Sequence, residues 1–168
     1  MSEHKIRRVH EEGHCRKFLV VVDESAECDA SVYFSAWRAR NTGSKIVMLF
    51  VSEPEEFQHW LRVEELHREE NEQTAAAVFR LYRRKLKNWG LDDIETEEVV
   101  RHGDISEEIV AAINADQDIS FLVLGASTSA EGPGRLVSGL AGGQAGTFPV
   151  PIVVIPGGLS LEEIEALA

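Results

Sequence analysis

An aspartate that ends a run of β-branched residues is an unusual place for a charge. Asp23 closes Lys17-Phe-Leu-Val-Val-Val-Asp23, and a carboxylate delivered there must find donors. Two donors are open to it. One is the amine of a ligand; the other is the set of backbone N–H groups that begin the following helix, capped by Asp23 itself or by Ser25. A second candidate is the loop Gly125-Ala-Ser-Thr-Ser-Ala-Glu-Gly-Pro-Gly-Arg135. Its glycines let N–H groups turn toward a phosphate and its hydroxyls add donors. GxxxxGK[ST] is absent, and Gly132-Pro-Gly134 lacks the third glycine of GxGxxG, so a plain flexible loop explains the segment as well as a phosphate cradle does.

Other polar clusters read as scaffold. His4, His10, His14 and Cys15 match no standard metal spacing and suit a solvated tail. His59, His67 and His102 lie far apart, with no Ser/His/Asp set in support. Glu64, Glu65, Glu69, Glu70 and Glu72 suit a solvated helix face, and Trp60 near Phe57 suits packing on that helix. Cys15 and Cys28 form no CxxC pair; both read as structural, reduced thiols of a cytoplasmic protein.

The elements that must position Asp23 and the loop follow from hydrophobic patterning. Lys17–Val22, Lys45–Val51, Ile119–Gly125 and Ile152–Ile155 are continuous apolar runs, the mark of strands covered on both faces. Residues 93–100 make a half-polar strand suited to a sheet edge. Between them lie helices over 26–40, over a long stretch marked by Val63, Leu66, Ala75, Phe79, Tyr82, Leu86 and Trp89, and over 105–114. Asp104, with Glu107 three residues on, opens the last of these, and Ser160 with Glu163 forms a capping box for a short C-terminal helix. Strand–helix alternation means an α/β fold: an open parallel sheet with helices on both faces, with ligands bound beyond the carboxyl ends of the strands where their order reverses. The organisation expected is a flexible tail over 1–15, one domain over 16–156 and a C-terminal tail over 157–168.

Composition limits the function. Of 168 residues, 43% are apolar and 27% charged, which supports one globular domain with a real core. The formal charge of −12 opposes binding to nucleic acid or to an anionic membrane surface. No apolar run approaches the roughly 20 residues of a membrane span, and the polar start lacks a secretory signal.

In its ordered motifs the chain resembles the universal stress proteins. The resemblance covers about residues 17–156 and rests on Phe18-Leu-Val-Val-Val-Asp23-x-Ser25, Gly103-Asp104, Leu122-Val-Leu-Gly125 with its loop, and Phe148-Pro-Val-Pro151-Ile-Val-Val-Ile155. The spacing from Gly125 to Pro151 also matches the family. The resemblance implies a five-stranded parallel sheet of order 3-2-1-4-5, a Rossmann-like arrangement. It implies ATP or a related adenine nucleotide, with magnesium accompanying it, in a pocket formed by Val21, Val22, Asp23 and Val51. Family members that bind ATP carry Gly-x-x-Gly, nine residues, then Gly-[Ser/Thr]. Here Gly125 matches, Thr128 replaces the second glycine, and Ser138-Gly139 reverses the final pair. A Cβ at Thr128 crowds a phosphate's approach, whereas Ser127, Ser138, Gly139 and Leu140 could still offer donors. The resemblance further implies a homodimer through the last strand (Ile152, Val153, Val154, Ile155), and at most slow ATP hydrolysis; the sequence shows no obvious general base beside the phosphate loop, and Asp104 and Glu131 are the nearest candidates. A nucleotide-free dimeric interaction protein of the same fold is the alternative.

Overall fold

The computed structural model describes residues 4–54 and 61–168. Phe57, His59 and Trp60 lie outside the described residues, as do the side chains of Val63 and Glu64. The strands are β1 (Lys17–Val21), β2 (Lys45–Ser52), β3 (Thr96–His102), β4 (Ile119–Ala126) and β5 (Ile152–Pro156). The helices are α1 (Cys28–Thr42), α2 (Leu61–Asn88), α3 (Ile105–Ala115), α4 (Arg135–Ser138) and α5 (Leu161–Leu167). α4 runs on into a π turn over Gly139–Gly143 and a 3-10 turn over Ala145–Thr147.

The strands form one sheet of order β3-β2-β1-β4-β5, and every neighbouring pair is parallel. The apolar runs explain why. Successive side chains of β1 point to opposite faces, so Phe18 and Val20 enter one core while Leu19 and Val21 enter the other. A strand with both faces covered must be apolar throughout, and Leu19 and Val20 are fully buried.

Right-handed crossovers then decide which helix covers which face. Moving from β1 to β2 to β3 carries α1 and α2 to one side, where Val32, Ala36, Phe79, Tyr82 and Leu86 join the first core. Reversing direction after β3 carries α3 and the α4 segment to the other, where Ile109, Ile113 and Leu140 join the second. The reversal leaves β1 beside β4, and the crevice between their carboxyl ends is the switch point.

Caps account for the helix boundaries. α1 ends at Gly43, in the left-handed region with φ 65°, where its N–H returns to the Ala39 carbonyl. α3 begins at Asp104, whose side chain accepts from the Glu107 N–H. In α2 the buried residues Ala75, Val78, Phe79, Tyr82 and Leu86 repeat at helical spacing. The residues from Glu65 to Thr74 are mostly exposed, in keeping with the expected acidic, solvated face.

Two expectations meet a different outcome, and the C-terminal helix, which could dock on the domain or on a second copy, takes the first of these places. β3 starts at Thr96 rather than Asp93, because Asp93 pairs with Arg40 and the ladder to β2 begins where Thr96 meets Ile46. α5 docks on its own domain: the capping box at Ser160 is complete, Ile164 is buried, and Arg38 donates to the Ala168 carbonyl. The N-terminal segment, expected as a flexible tail, makes specific bonds along the end of the sheet opposite the crevice. Arg7 Nη1 donates to the carbonyls of Ile113, Asp116 and Ile119 at 2.7, 3.0 and 3.2 Å, closing the end of α3. The Arg8 N–H donates to the Gln117 carbonyl, His14 pairs with Asp118, and His4 meets the Thr147 carbonyl. Sequence periodicity could not reveal this segment, because its partners are backbone carbonyls rather than an apolar face. Next to it, Lys17 is held between Asp116 and Glu97, both at 2.8 Å. Burial works to lower its pKa, but hydrogen bonds and attraction from the two carboxylates outweigh burial and raise it.

Arg7→Ala removes a charged donor from three carbonyls at the end of α3. The expected loss of stability is about 1–3 kcal/mol, read as a lower urea midpoint with an unchanged slope.

Candidate functional site

Chain geometry at the switch point starts with Asp23. Its Oδ1 accepts from the backbone N–H of Ser25 at 2.8 Å and from the Ser25 hydroxyl, closing a turn before α1. Neither Asp23 nor Ser25 caps the helix; Glu27 holds the N-cap position without a side-chain bond. Asp23 is exposed, and an aspartate that orders its own loop presents a fixed carboxylate to the crevice.

Across from it stands Gly125 near the end of β4. A Cβ built there would lie 2.3 Å from the Glu27 carbonyl oxygen. Glycine is required at this position because the start of α1 is pressed against β4, whatever the loop beyond does. Gly134, at φ 105°, turns the chain into α4.

The crevice is a cavity of about 170 Å³, with Val21, Leu124 and Ile105 as apolar lining and Asp23, Glu27 and Arg135 as its charges. Ligand pockets that enclose a drug-sized molecule hold about 300 Å³ or more. The cavity therefore encloses only part of such a molecule and leaves the rest toward the mouth. At that mouth Glu53, which follows β2, takes two donors. Its Oε1 accepts from the Ile105 N–H at 3.2 Å, and its Oε2 accepts from Arg135 Nη2 at 2.8 Å. Glu53 also lines a second cavity of about 280 Å³ with Ser52, His67, Arg68, Asn71 and His102. There Ser52 Oγ is hydrogen-bonded to His102 Nδ1, its cross-strand neighbour.

The structure brings together Val21, Asp23 and Gly125 from the sequence-based site. The others do not line this crevice. Val22 is buried in the opposite core, and Val51 packs into the core beneath. Ser127 donates its N–H to the Pro133 carbonyl at 2.9 Å, which closes the loop on itself. Thr128 is exposed. The N–H groups of Ser138 and Gly139 are donated within the helical segment, to Gly134 and to Arg135 and Leu136. Leu140 is a fully buried core residue. The donors expected of Ser138 and Gly139 are thus engaged in building the fold. Glu53, Ile105 and Arg135 were not assigned to the sequence-based site, although Glu53 follows β2 at the carboxyl end where such a sheet binds ligands and Arg135 is the sole cation of the loop.

The nucleophile and base candidates are also placed. Cys28 lines the crevice, but its thiol is pushed up to about 11, first by burial and then by the nearby Asp23 and Asp29 carboxylates, against hydrogen bonds that pull the other way. Tyr82, bonded to Asp29 at 2.9 Å, is raised as well, by burial first and then by Cys28. Asp104 caps α3, and Glu131 is exposed. Among the described residues no three His, Cys, Asp or Glu side chains group as a metal site, and no helix is long and apolar enough to cross a membrane.

A five-stranded parallel sheet with reversed order at β1 and a crevice at that reversal define a doubly wound, Rossmann-like α/β domain. The Universal stress protein family model matches residues 14–156, and the chain belongs to that family. Solved structures agree in fold. The universal stress protein UspA from Lactobacillus plantarum is 18% identical with TM-score 0.67, over 83% of this chain and 97% of that one. A universal stress protein solved in complex with cAMP is 15% identical with TM-score 0.60, over 84% of this chain and 97% of that one. The universal stress protein from Archaeoglobus fulgidus in complex with dAMP is 15% identical with TM-score 0.51, over 83% and 97%. No curated protein gives a match to this sequence.

The raised Cys28 thiol makes stability pH-dependent at the alkaline end. Its protonated form is favoured by folding, so its contribution is constant below the unfolded thiol value near 8.5. It is lost as pH rises through the folded value of about 11, a decline of about 3 kcal/mol. Tyr82 acts in the same direction. Urea midpoints from pH 8 to 10.5 should fall less steeply for Cys28→Ala than for the wild type; parallel slopes would contradict this assignment.

Proposed function

We propose that this chain is a cytoplasmic regulatory module that binds an adenine nucleotide or nucleoside in the crevice at the ends of β1 and β4 and carries out no efficient catalysis. The observation that carries this reading is the convergence of the ordered Asp23 carboxylate with the apolar Val21, Leu124 and Ile105 beside Gly125. An exocyclic amino group needs an acceptor and a purine ring needs apolar walls. The relatives solved with cAMP and dAMP support the choice of adenine. The protonated Cys28 thiol and the capping role of Asp104 favour binding over turnover. Two free cysteines fit a reducing compartment.

Titration with AMP should raise the melting temperature. At one hundred times the dissociation constant the stabilisation is about 2.7 kcal/mol. Asp23→Ala should weaken AMP about tenfold in calorimetry, the worth of one good hydrogen bond. No shift with adenosine, AMP, cAMP or ATP at millimolar concentration overturns the reading.

The same module is proposed to work as a pair joined at β5. This strand is the sheet edge beyond β4, it is apolar from Ile152 to Ile155, and among the described residues no strand pairs with its outer side. Sedimentation should give about twice the 18.7 kDa chain mass, and Val154→Lys should return it to monomer. A wild-type monomer at high concentration would rule the pair out.

A further inference from the structure

We infer that Glu53 sets the charge class of ligand the crevice accepts: it admits adenine ligands with no phosphate or a single phosphate and turns polyphosphates away. This deepens the adenine reading and rests on it. The Glu53 carboxylate stands between Ile105 and Arg135, which both line the crevice; a nucleotide seated with its base inside would send its outer phosphates toward it. One oxygen takes the Ile105 N–H at 3.2 Å and the other takes Arg135 Nη2 at 2.8 Å. These are the types of donor, a backbone amide and a guanidinium, that recognise phosphate, and here the chain's own anion holds them.

The rest of the mouth gives a polyphosphate little in exchange. Ser127, Ser138 and Gly139 already donate their N–H groups within the protein. The crevice lining carries the charges Asp23, Glu27 and Arg135, and Glu53 adds a third carboxylate at the mouth, with Arg68 beyond it in the neighbouring cavity. A ligand bearing three or four negative charges meets net repulsion, whereas a nucleoside or monophosphate meets little. The cavity of about 170 Å³ agrees, since it encloses a base or sugar and leaves a phosphate chain outside. Selection thus comes from an occupied donor pair and its surplus negative charge.

The test is calorimetric titration of the full chain with adenosine, AMP and ATP, repeated on Glu53→Gln and Glu53→Ala, with melting curves to confirm folding. The wild type should bind AMP at least tenfold more tightly than ATP. Glu53→Gln, which keeps the side-chain shape and removes the charge, should tighten ATP about tenfold and leave adenosine within about twofold. The ATP gain should shrink as salt is raised. Should either Glu53 variant fail to fold, the other carries the comparison, and salt provides a second measurement on the wild type: raising it should tighten ATP more than AMP, and an ATP affinity that does not rise overturns the role of Glu53. If adenosine and AMP bind but the ATP-to-AMP ratio does not move in the Glu53 variants, or if wild type binds ATP as tightly as AMP, the role of Glu53 is refuted while the adenine site stands. If no adenine ligand binds any variant, both readings fall together.

Discussion

The whole crevice depends on one close approach, that of the Glu27 backbone to β4. With a Cβ at Gly125 placed 2.3 Å from the Glu27 carbonyl oxygen, no other residue fits without moving α1 or the sheet. The contact fixes the start of α1 relative to β4, which fixes the turn that Asp23 closes and the direction of its carboxylate. A second contact of the same kind lies beside it: a Cβ on Gly157 would lie 2.4 Å from the Ala126 carbonyl, where the Gly157 N–H donates at 2.8 Å. Two such backbone approaches at the end of β4, both beside Glu27, make the floor of the crevice stiff, because they leave no side chain to change rotamer.

The fold was legible in the sequence because double-sided burial writes itself as unbroken apolar runs. Lys17–Val22 and Ile119–Gly125 could belong to nothing but covered strands, and alternation with helices then fixed parallel pairing. The site was less legible, and the reason is physical. A glycine in the sequence does not say whether its missing side chain makes room for a ligand or for the chain itself; at Gly125 it makes room for Glu27. Nor does a serine–glycine pair say whether its N–H groups are free. Ser138 and Gly139 fall within a helical segment whose hydrogen bonds consume them, and Leu140 anchors that segment in the core. Glu53 follows β2 at the end where such sheets bind ligands, but its pairing was hidden: its partners are 52 and 82 residues away, and no local pattern announces a long-range ion pair.

Electrostatics are arranged unevenly between the two ends of the strands. At the amino ends, charges are paired by geometry: Arg7 with three carbonyls, Lys17 with Asp116 and Glu97, and His14 with Asp118. This end is tied shut. At the carboxyl ends Asp23 and Glu27 face the crevice with Arg135, and this is where a visiting molecule can alter the balance. A chain with formal charge −12 carries its most consequential negative groups there, within reach of a ligand.

The two borders of the sheet differ in kind. β5 ends it with Ile-Val-Val-Ile, while β3 ends it with Glu97, Glu98 and Arg101, tied by ion pairs to Lys17, Arg83 and Glu108. Any copy that adds itself along β5 therefore places a charged border outermost on both sides. Growth stops there: ribbon addition can make a closed couple but cannot run on into a fibre.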